Sequence, residues 1–246
     1  AVIPQKLSEP GKEFPADRQV TLLSANVCFM PGGYSITDGG VLPHTDDNNK
    51  RMRDTIEKIK TLSADVACLF EVPDEKDKKF ITRELLGAGY TDFIPGSGYR
   101  GIGPNSMMYI ASKLPIVQES VQFTPFTKND EVKGRAASSE KGFLTFEIDT
   151  KNSDKPLFVI ATHLQHSEIP EQPELYEVEC HQKEITPIMN RVTQIQAQRP
   201  NCTIIFTGDL NQTERELLEP EKGVMIYPAK PSVLQWLDTF SWLPLI

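Results

Sequence analysis

Three stretches of this chain are apolar at almost every position and then stop at a polar residue: DVACLFEV (65–72), PLFVIATHL (156–164) and CTIIFTGDL (202–210). A strand with one wet face alternates apolar and polar residues, so a continuous apolar run needs cover on both faces. A chain with several such runs must place a sheet between other layers. Further strands are expected over VTLLSANVCF (20–29), NSMMYIA (105–111), PIVQESVQF (115–123) and GFLTFEID (142–149), with a tight connection at 112–115. The last of these alternates, with Phe143, Thr145 and Glu147 opposite Leu144, Phe146 and Ile148. Helices are expected between some of the strands. Over 47–63, Met52, Ile56, Ile59 and Leu62 form one apolar stripe, and Asp46 or Asp47 can cap its start. Residues 76–87 form a second helix and 173–198 a third, which Pro187 should kink or split. SVLQWLDTF (232–240) reads as a short fourth helix. Loops are expected at 29–46 and 124–140, and an extended segment at 1–19. This pattern describes a single α/β domain over 1–246, with mixed sheets packed together and helices outside.

Composition limits the function classes. The net charge is −8, which disfavours a partner held by counterion release from duplex nucleic acid. It does not oppose a metal site that holds one phosphate. No apolar run is long enough to span a bilayer as a helix. The first residues, AVIPQKLSEP, lack a signal-peptide pattern and begin without Met, which is compatible with a processed terminus. Secreted and membrane-associated locations both stay open. Of the four cysteines, Cys28, Cys68 and Cys202 lie in apolar runs and read as buried free thiols; Cys180 is the fourth. None is at CxxC spacing, so zinc or dithiol chemistry has little support.

Polar residues recur at the carboxyl ends of the strand-like runs: Asn26 after TLLSA, Glu71 after DVACLF, His163 after FVIAT, and Asp209 with Asn211 after TIIFTG, where the chain is expected to turn at Gly208. Ligand sites in α/β sheets collect beyond strand carboxyl ends, so side-by-side strands would bring these groups into one cleft. Glu71, Asp209 and Asn211 offer hard oxygen donors suited to Mg²⁺, Mn²⁺ or Ca²⁺. His163 can donate to a phosphoryl oxygen or move a proton near neutral pH. Each residue alone has an ordinary structural reading: a solvated strand edge, a hydrogen-bonded core His, an Asp closing its own turn. Their occurrence together, in this order, points to a site.

The words SANV (24–27), LFEV (69–72), NSMMYIASKLPI (105–116), ATHLQ (161–165) and GDLN (208–211) resemble those of the endonuclease/exonuclease/phosphatase superfamily, the metal-dependent phosphoesterases that include DNase I. Within it, ANVCFMPGG, EKGFLTFEI (140–148) and THLQ are most similar to neutral sphingomyelinases. The resemblance spans roughly residues 20–240. It implies a four-layer α/β/β/α sandwich of two mixed sheets. It also implies roles: Glu71 as principal metal ligand with Asn26 close by, and Asp209 and Asn211 holding the attacking water, or a second metal, and the phosphoryl oxygens. His163 would stabilise the transition state, Asn105 would contact phosphate, and Lys141 would face the same cleft. Mg²⁺ is the expected cofactor, with Mn²⁺ or Ca²⁺ as alternatives.

Two departures qualify the resemblance. The superfamily pattern ends in a Ser-Asp-His word supplying a general base or acid, and none of His44, His163, His166 or His181 follows GDLN. The sandwich is therefore expected to lack its C-terminal part. His166 is a poor geometric substitute, and Asp238, in the expected fourth helix, has no role. Glu140 stands where Ser or Asn is common before Lys-Gly. The implied activity is hydrolysis of sphingomyelin, or a related phospholipid at a membrane surface, to ceramide and phosphocholine. A nuclease, an inositol-phosphate phosphatase or a catalytically incomplete binding module on the same fold are the alternatives.

Overall fold

The structure is a computed structural model that describes residues 5–6, 19–29, 46–96, 106–126, 141–151, 155–165, 173–211 and 234–238. Its strands are β1 (Gln5–Lys6), β2 (Leu22–Asn26), β3 (Val66–Phe70), β4 (Asp92–Ile94), β5 (Tyr109–Ser112), β6 (Ile116–Pro125), β7 (Gly142–Ile148), β8 (Leu157–His163), β9 (Thr203–Asp209) and β10 (Leu234–Asp238). Its helices are α1 (Asp46–Leu62), α2 (Glu75–Leu86) and α3 (Pro173–Gln198). One sheet runs β1-β4-β5-β3-β2 and the other β10-β9-β8-β7-β6. Both are mixed: β2/β3, β8/β9 and β9/β10 pair parallel, the remaining neighbours antiparallel.

The continuous apolar runs are explained by three packed clusters. Val66, Cys68 and Phe70 of β3 point between the sheets, where they meet Leu144, Phe146, Val159, Ala161 and Ile205 of the other sheet. The alternate residues of β3, Ala67 and Leu69, face outward against Ile56 and Ile59 of α1 and Ile81 and Leu85 of α2. On the far side, Phe158, Ile160, Ile204 and Phe206 pack under Ile188, Val192 and Ile195 of α3. Each Val, Leu, Ile or Phe among them contributes roughly 1.5–3 kcal/mol when taken out of water. The layers are therefore helix, sheet, sheet, helix, the α/β/β/α sandwich expected from the sequence.

Several expectations need correction. Asp46 and Asp47 lie inside the first turn of α1 rather than at its cap. α2 does have an Asp cap: Asp74 accepts from the Lys76 backbone N–H at 2.8 Å. α3 continues as one helix through Pro187, since its buried stripe of isoleucines and valine, packed on β8 and β9, outweighs the one backbone hydrogen bond that proline forfeits. Residues 234–238 are not a helix but strand β10, in parallel register with Ile204–Gly208 of β9. So short a helix has little stability of its own, whereas the open edge of β9 satisfies a backbone hydrogen-bonding row at once. All four cysteines are free thiols, with Cys28 half-buried and the other three buried. Residues 124–125 belong to β6, and the rest of the expected loops over 30–45 and 127–140 lie outside the described residues.

Gly208 is not at a turn. It sits within β9 opposite Thr162 of β8, and a Cβ placed there would overlap the Thr162 carbonyl. The glycine allows close approach of two backbones, and the chain turns only after Asp209. Gly208→Ala is therefore expected to cost about 3 kcal/mol, read as a lowered urea midpoint with unchanged slope. A variant of wild-type stability would refute this reading.

Candidate active site

The two parallel pairs β2/β3 and β8/β9 each end in polar residues, one pair in each sheet. Within each pair the strands lie side by side, but the two pairs belong to different sheets. They face each other across the sandwich, and their carboxyl ends meet at one edge. Asn26 ends β2 in register with Phe70, and Glu71 follows Phe70 directly. His163 and Asp209 are register partners at the ends of β8 and β9. A carboxylate oxygen of Glu71, a ring nitrogen of His163 and a carboxylate oxygen of Asp209 all lie within 4.8 Å of one another.

Asp209 is 3% exposed, and both of its oxygens have partners. Oδ2 accepts from Asn26 Nδ2 at 2.6 Å and lies 3.7 Å from His163 Nε2. Oδ1 accepts from the backbone N–H of Asn211 at 3.0 Å, closing the turn after the strand. Asn211 in turn donates its Nδ2 to the Leu164 carbonyl at 2.7 Å, and Leu164 N–H donates to the Asp209 carbonyl at 2.9 Å. GDLN thus holds the end of the His163 strand as well as presenting its own carboxylate. His163 is 3% exposed and meets the Phe70 ring edge-on at 6.2 Å, a contact between the two sheets.

The backbone around the cleft is locally strained. Non-glycine residues in the left-handed region include Cys28 (φ 47°), Glu71 (φ 63°), Met107 (φ 55°) and Asn211 (φ 49°). Such conformations cost on the order of 1 kcal/mol each and persist where surrounding structure fixes them. Here hydrogen bonds do the fixing: Phe29 N–H to the Glu71 carbonyl at 2.9 Å, Val72 N–H to the Met107 carbonyl at 2.9 Å, and Cys28 N–H to Asn26 Oδ1 at 3.0 Å. The result turns the Glu71 carboxylate toward Asp209.

Lys141 stands just before β7, whose start runs beside the end of β8. Glu71, Asp209 and Glu184 all draw its ammonium toward the charged form, yet burial outweighs them and pushes it down to about 8. Lys141 therefore feels the charges of Glu71, Asp209 and Glu184. Asn105 and His166 lie outside the described residues.

Two site neighbours are not picked out by the sequence pattern. His181 and Glu184, one turn apart on α3, are 1% and 6% exposed. Glu184 accepts from the Gln165 backbone N–H at 3.0 Å, and His181 Nε2 lies 2.7 Å from the Gln165 carbonyl. A signal for them does exist: positions 181, 184, 188, 192 and 195 form one helical stripe, and two of them are titratable where a core residue is expected.

The donor set fits a hard divalent cation: two carboxylates converge from opposite sheets and offer hard oxygen ligands. Comparison with solved structures identifies the architecture as the DNase I-like endonuclease/exonuclease/phosphatase fold. ANGEL2, a 2',3'-cyclic phosphatase solved with adenosine-2',3'-vanadate, matches with a TM-score of 0.56 and 18% identity over 81% of this chain and 55% of its own. A beta toxin from Staphylococcus aureus with bound magnesium ions matches with a TM-score of 0.60 and 18% identity, over 80% of this chain and 66% of its own. TDP2 from Caenorhabditis elegans matches with a TM-score of 0.54 and 20% identity, over 80% and 48%. The chain spans about half the length of ANGEL2 and of TDP2. No protein-family model and no curated protein sequence matches it.

Proposed function

We propose that this protein is a metal-dependent phosphodiesterase that hydrolyses sphingomyelin, or a closely related phospholipid, to ceramide and phosphocholine. The observation that carries the phosphoesterase reading is the convergence of Glu71, His163 and Asp209 within 4.8 Å at the meeting edge of two sheets. The magnesium-bound beta toxin, which shares the fold, supports Mg²⁺ as the cation. The choice of a phospholipid rests on the sphingomyelinase-like words KGF, THLQ and ANVCFMPGG.

Glu71 and Asp209 would hold the cation, which on binding supplies positive charge to the phosphoryl group and lowers the pKa of water. Asn26 donates to Asp209 and so fixes the orientation of its carboxylate. Asn211 would present the remainder of its side chain to water or phosphate while its Nδ2 anchors Leu164. His163, whose Nε2 lies 3.7 Å from Asp209 Oδ2, would donate to a phosphoryl oxygen. Lys141 would add a second positive charge near the oxygens on which negative charge grows as water attacks phosphorus and the ceramide oxygen leaves. Asn105 is assigned the phosphate contact on the sequence pattern alone.

Among the described residues no helix is long and apolar enough to cross a membrane. A second reading is favoured by ANGEL2: attack on a small cyclic or nucleotide phosphodiester in the same cleft. The deciding experiment incubates the full-length protein with sphingomyelin vesicles, with Mg²⁺ and with EDTA, and follows phosphocholine. Parallel reactions contain adenosine 2',3'-cyclic phosphate and supercoiled plasmid. Mg²⁺-dependent phosphocholine release that EDTA abolishes is expected. No release from sphingomyelin, with turnover of the cyclic phosphate or nicking of the plasmid, removes the lipid reading.

A further inference from the structure

We propose that His181 and Glu184 of α3 are positioning residues for His163: together they clamp the backbone of Gln165 and so fix the strand end that carries the histidine. This inference rests on the catalytic reading of the cleft given above.

The segment His163-Leu164-Gln165 leaves β8 and is gripped from two sides. On one side, the Leu164 N–H and carbonyl bind the Asp209 carbonyl and Asn211 Nδ2. On the other, both backbone polar groups of the next residue are taken by α3: the Gln165 N–H donates to Glu184 Oε2, and the Gln165 carbonyl faces His181 Nε2. A carbonyl only accepts, so Nε2 of His181 carries the proton and donates. Gln165 itself is 5% exposed. The two bonds satisfy backbone groups that are buried, where a lost partner costs more than a typical hydrogen bond contributes.

Ordinary helix-to-strand packing does not need two ionisable groups here. The same stripe of α3 continues with Ile188, Val192 and Ile195, which pack on the outer face of β8 and β9. The stripe changes from apolar to ionisable only where it reaches the end of β8. The Glu184 carboxylate also acts on the Lys141 ammonium, drawing it toward the charged form against the opposing effect of burial. Burial pushes the Glu184 carboxyl up to about 7, moderated by the Gln165 N–H and Lys141. An uncharged carboxyl still accepts from the amide, so the clamp does not depend on ionisation. A small loss of register at this segment moves His163 directly, and an error near 1 Å in a catalytic group can cost about 100-fold in rate.

The test compares Glu184→Gln, Glu184→Ala and His181→Gln with the wild type, in full-length protein. Amide hydrogen exchange at Gln165 and the His163 ring-proton NMR shifts are measured alongside kcat and KM on sphingomyelin. Glu184→Gln keeps an acceptor oxygen and is expected to retain the slow exchange, the ring shifts and a kcat within about threefold of wild type. Glu184→Ala is expected to speed exchange at Gln165 at least tenfold, to move the His163 shifts, and to lower kcat by about 10–100-fold with KM little changed. His181→Gln keeps a donor and should resemble Glu184→Gln. The proposal is overturned if folded Glu184→Ala keeps wild-type exchange and shifts, or if Glu184→Gln loses as much as Glu184→Ala. If Glu184→Ala does not fold, Glu184→Gln and His181→Gln decide it alone: a large loss in either overturns the clamp. If the wild type turns over no phosphoester, the functional reading fails, while exchange and ring shifts still decide the positioning role.

Discussion

Glu71→Gln is expected to lower Mg²⁺ affinity by at least about 100-fold, by analogy with the 10–100-fold losses typical of outer-shell changes around metal ligands. The substitution keeps the volume and one acceptor oxygen but removes the charge that a hard divalent cation needs. The backbone should tolerate it. Glu71 holds its left-handed conformation through main-chain contacts, with its own carbonyl accepting from Phe29 N–H and the next residue bonding Met107. Far-UV circular dichroism and the unfolding midpoint should stay near wild type. Isothermal titration with Mg²⁺ gives the affinity directly. Activity should recover in part as Mg²⁺ is raised, because the lost interaction is with the cation rather than with the substrate. Unchanged Mg²⁺ affinity, or activity insensitive to Mg²⁺, would remove Glu71 from the metal set.

Asp209→Ala is expected to lower kcat by about 1000-fold, with no recovery at high Mg²⁺. More is lost here than one metal ligand. Asn26 Nδ2 loses its 2.6 Å acceptor, Asn211 N–H loses its 3.0 Å acceptor, and the carboxylate 3.7 Å from His163 disappears. The two sheets then lose their polar link at the cleft, and the turn that places Asn211 loses its lock. Asp209→Asn is nearly isosteric but brings an amide N–H where Asn26 already donates, so it should lose almost as much. Single-turnover kinetics on the substrate that the assays identify would measure both variants. An Asp209→Ala protein that keeps more than about a tenth of wild-type kcat would sink the role, since groups of this kind contribute at least about 100-fold.

Both substitutions fall on residues that the amino-acid sequence itself marks. Glu71, His163, Asp209 and Asn211 are legible because each interrupts an apolar run at the point where a strand must end. Lys141 is legible only through the Lys-Gly word, as a lysine at a strand start is ordinary by itself. Strand β4, three residues long, is too short to show a period. Strand β10 reads as a helix in sequence because Leu234, Trp236 and Leu237 in five residues fit either period, and pairing with β9 is a long-range event. Gly208 reads as a turn because glycine usually marks one, whereas here it yields to the Thr162 carbonyl. His181 and Glu184 show in sequence only as two titratable members of an otherwise apolar helical stripe; their partner, Gln165, is hidden by distance along the chain.

The sequence alone determined the layers. Continuous apolar runs require cover on two faces, and the stripe over 47–63 marks one helix able to provide it, so a layered α/β domain follows from burial and period, while the two-sheet sandwich is what the family resemblance implies. Only the tertiary structure decided which groups meet. Asn26 and Asp209 are separated by 183 positions in the chain and belong to different sheets. Their contact exists because apolar burial between the sheets aligns the carboxyl ends of two parallel strand pairs. Local pattern can place a polar residue at the end of a strand. Which other strand end it faces is set by how two sheets pack, an arrangement fixed by the summed burial of both faces and not encoded near either residue.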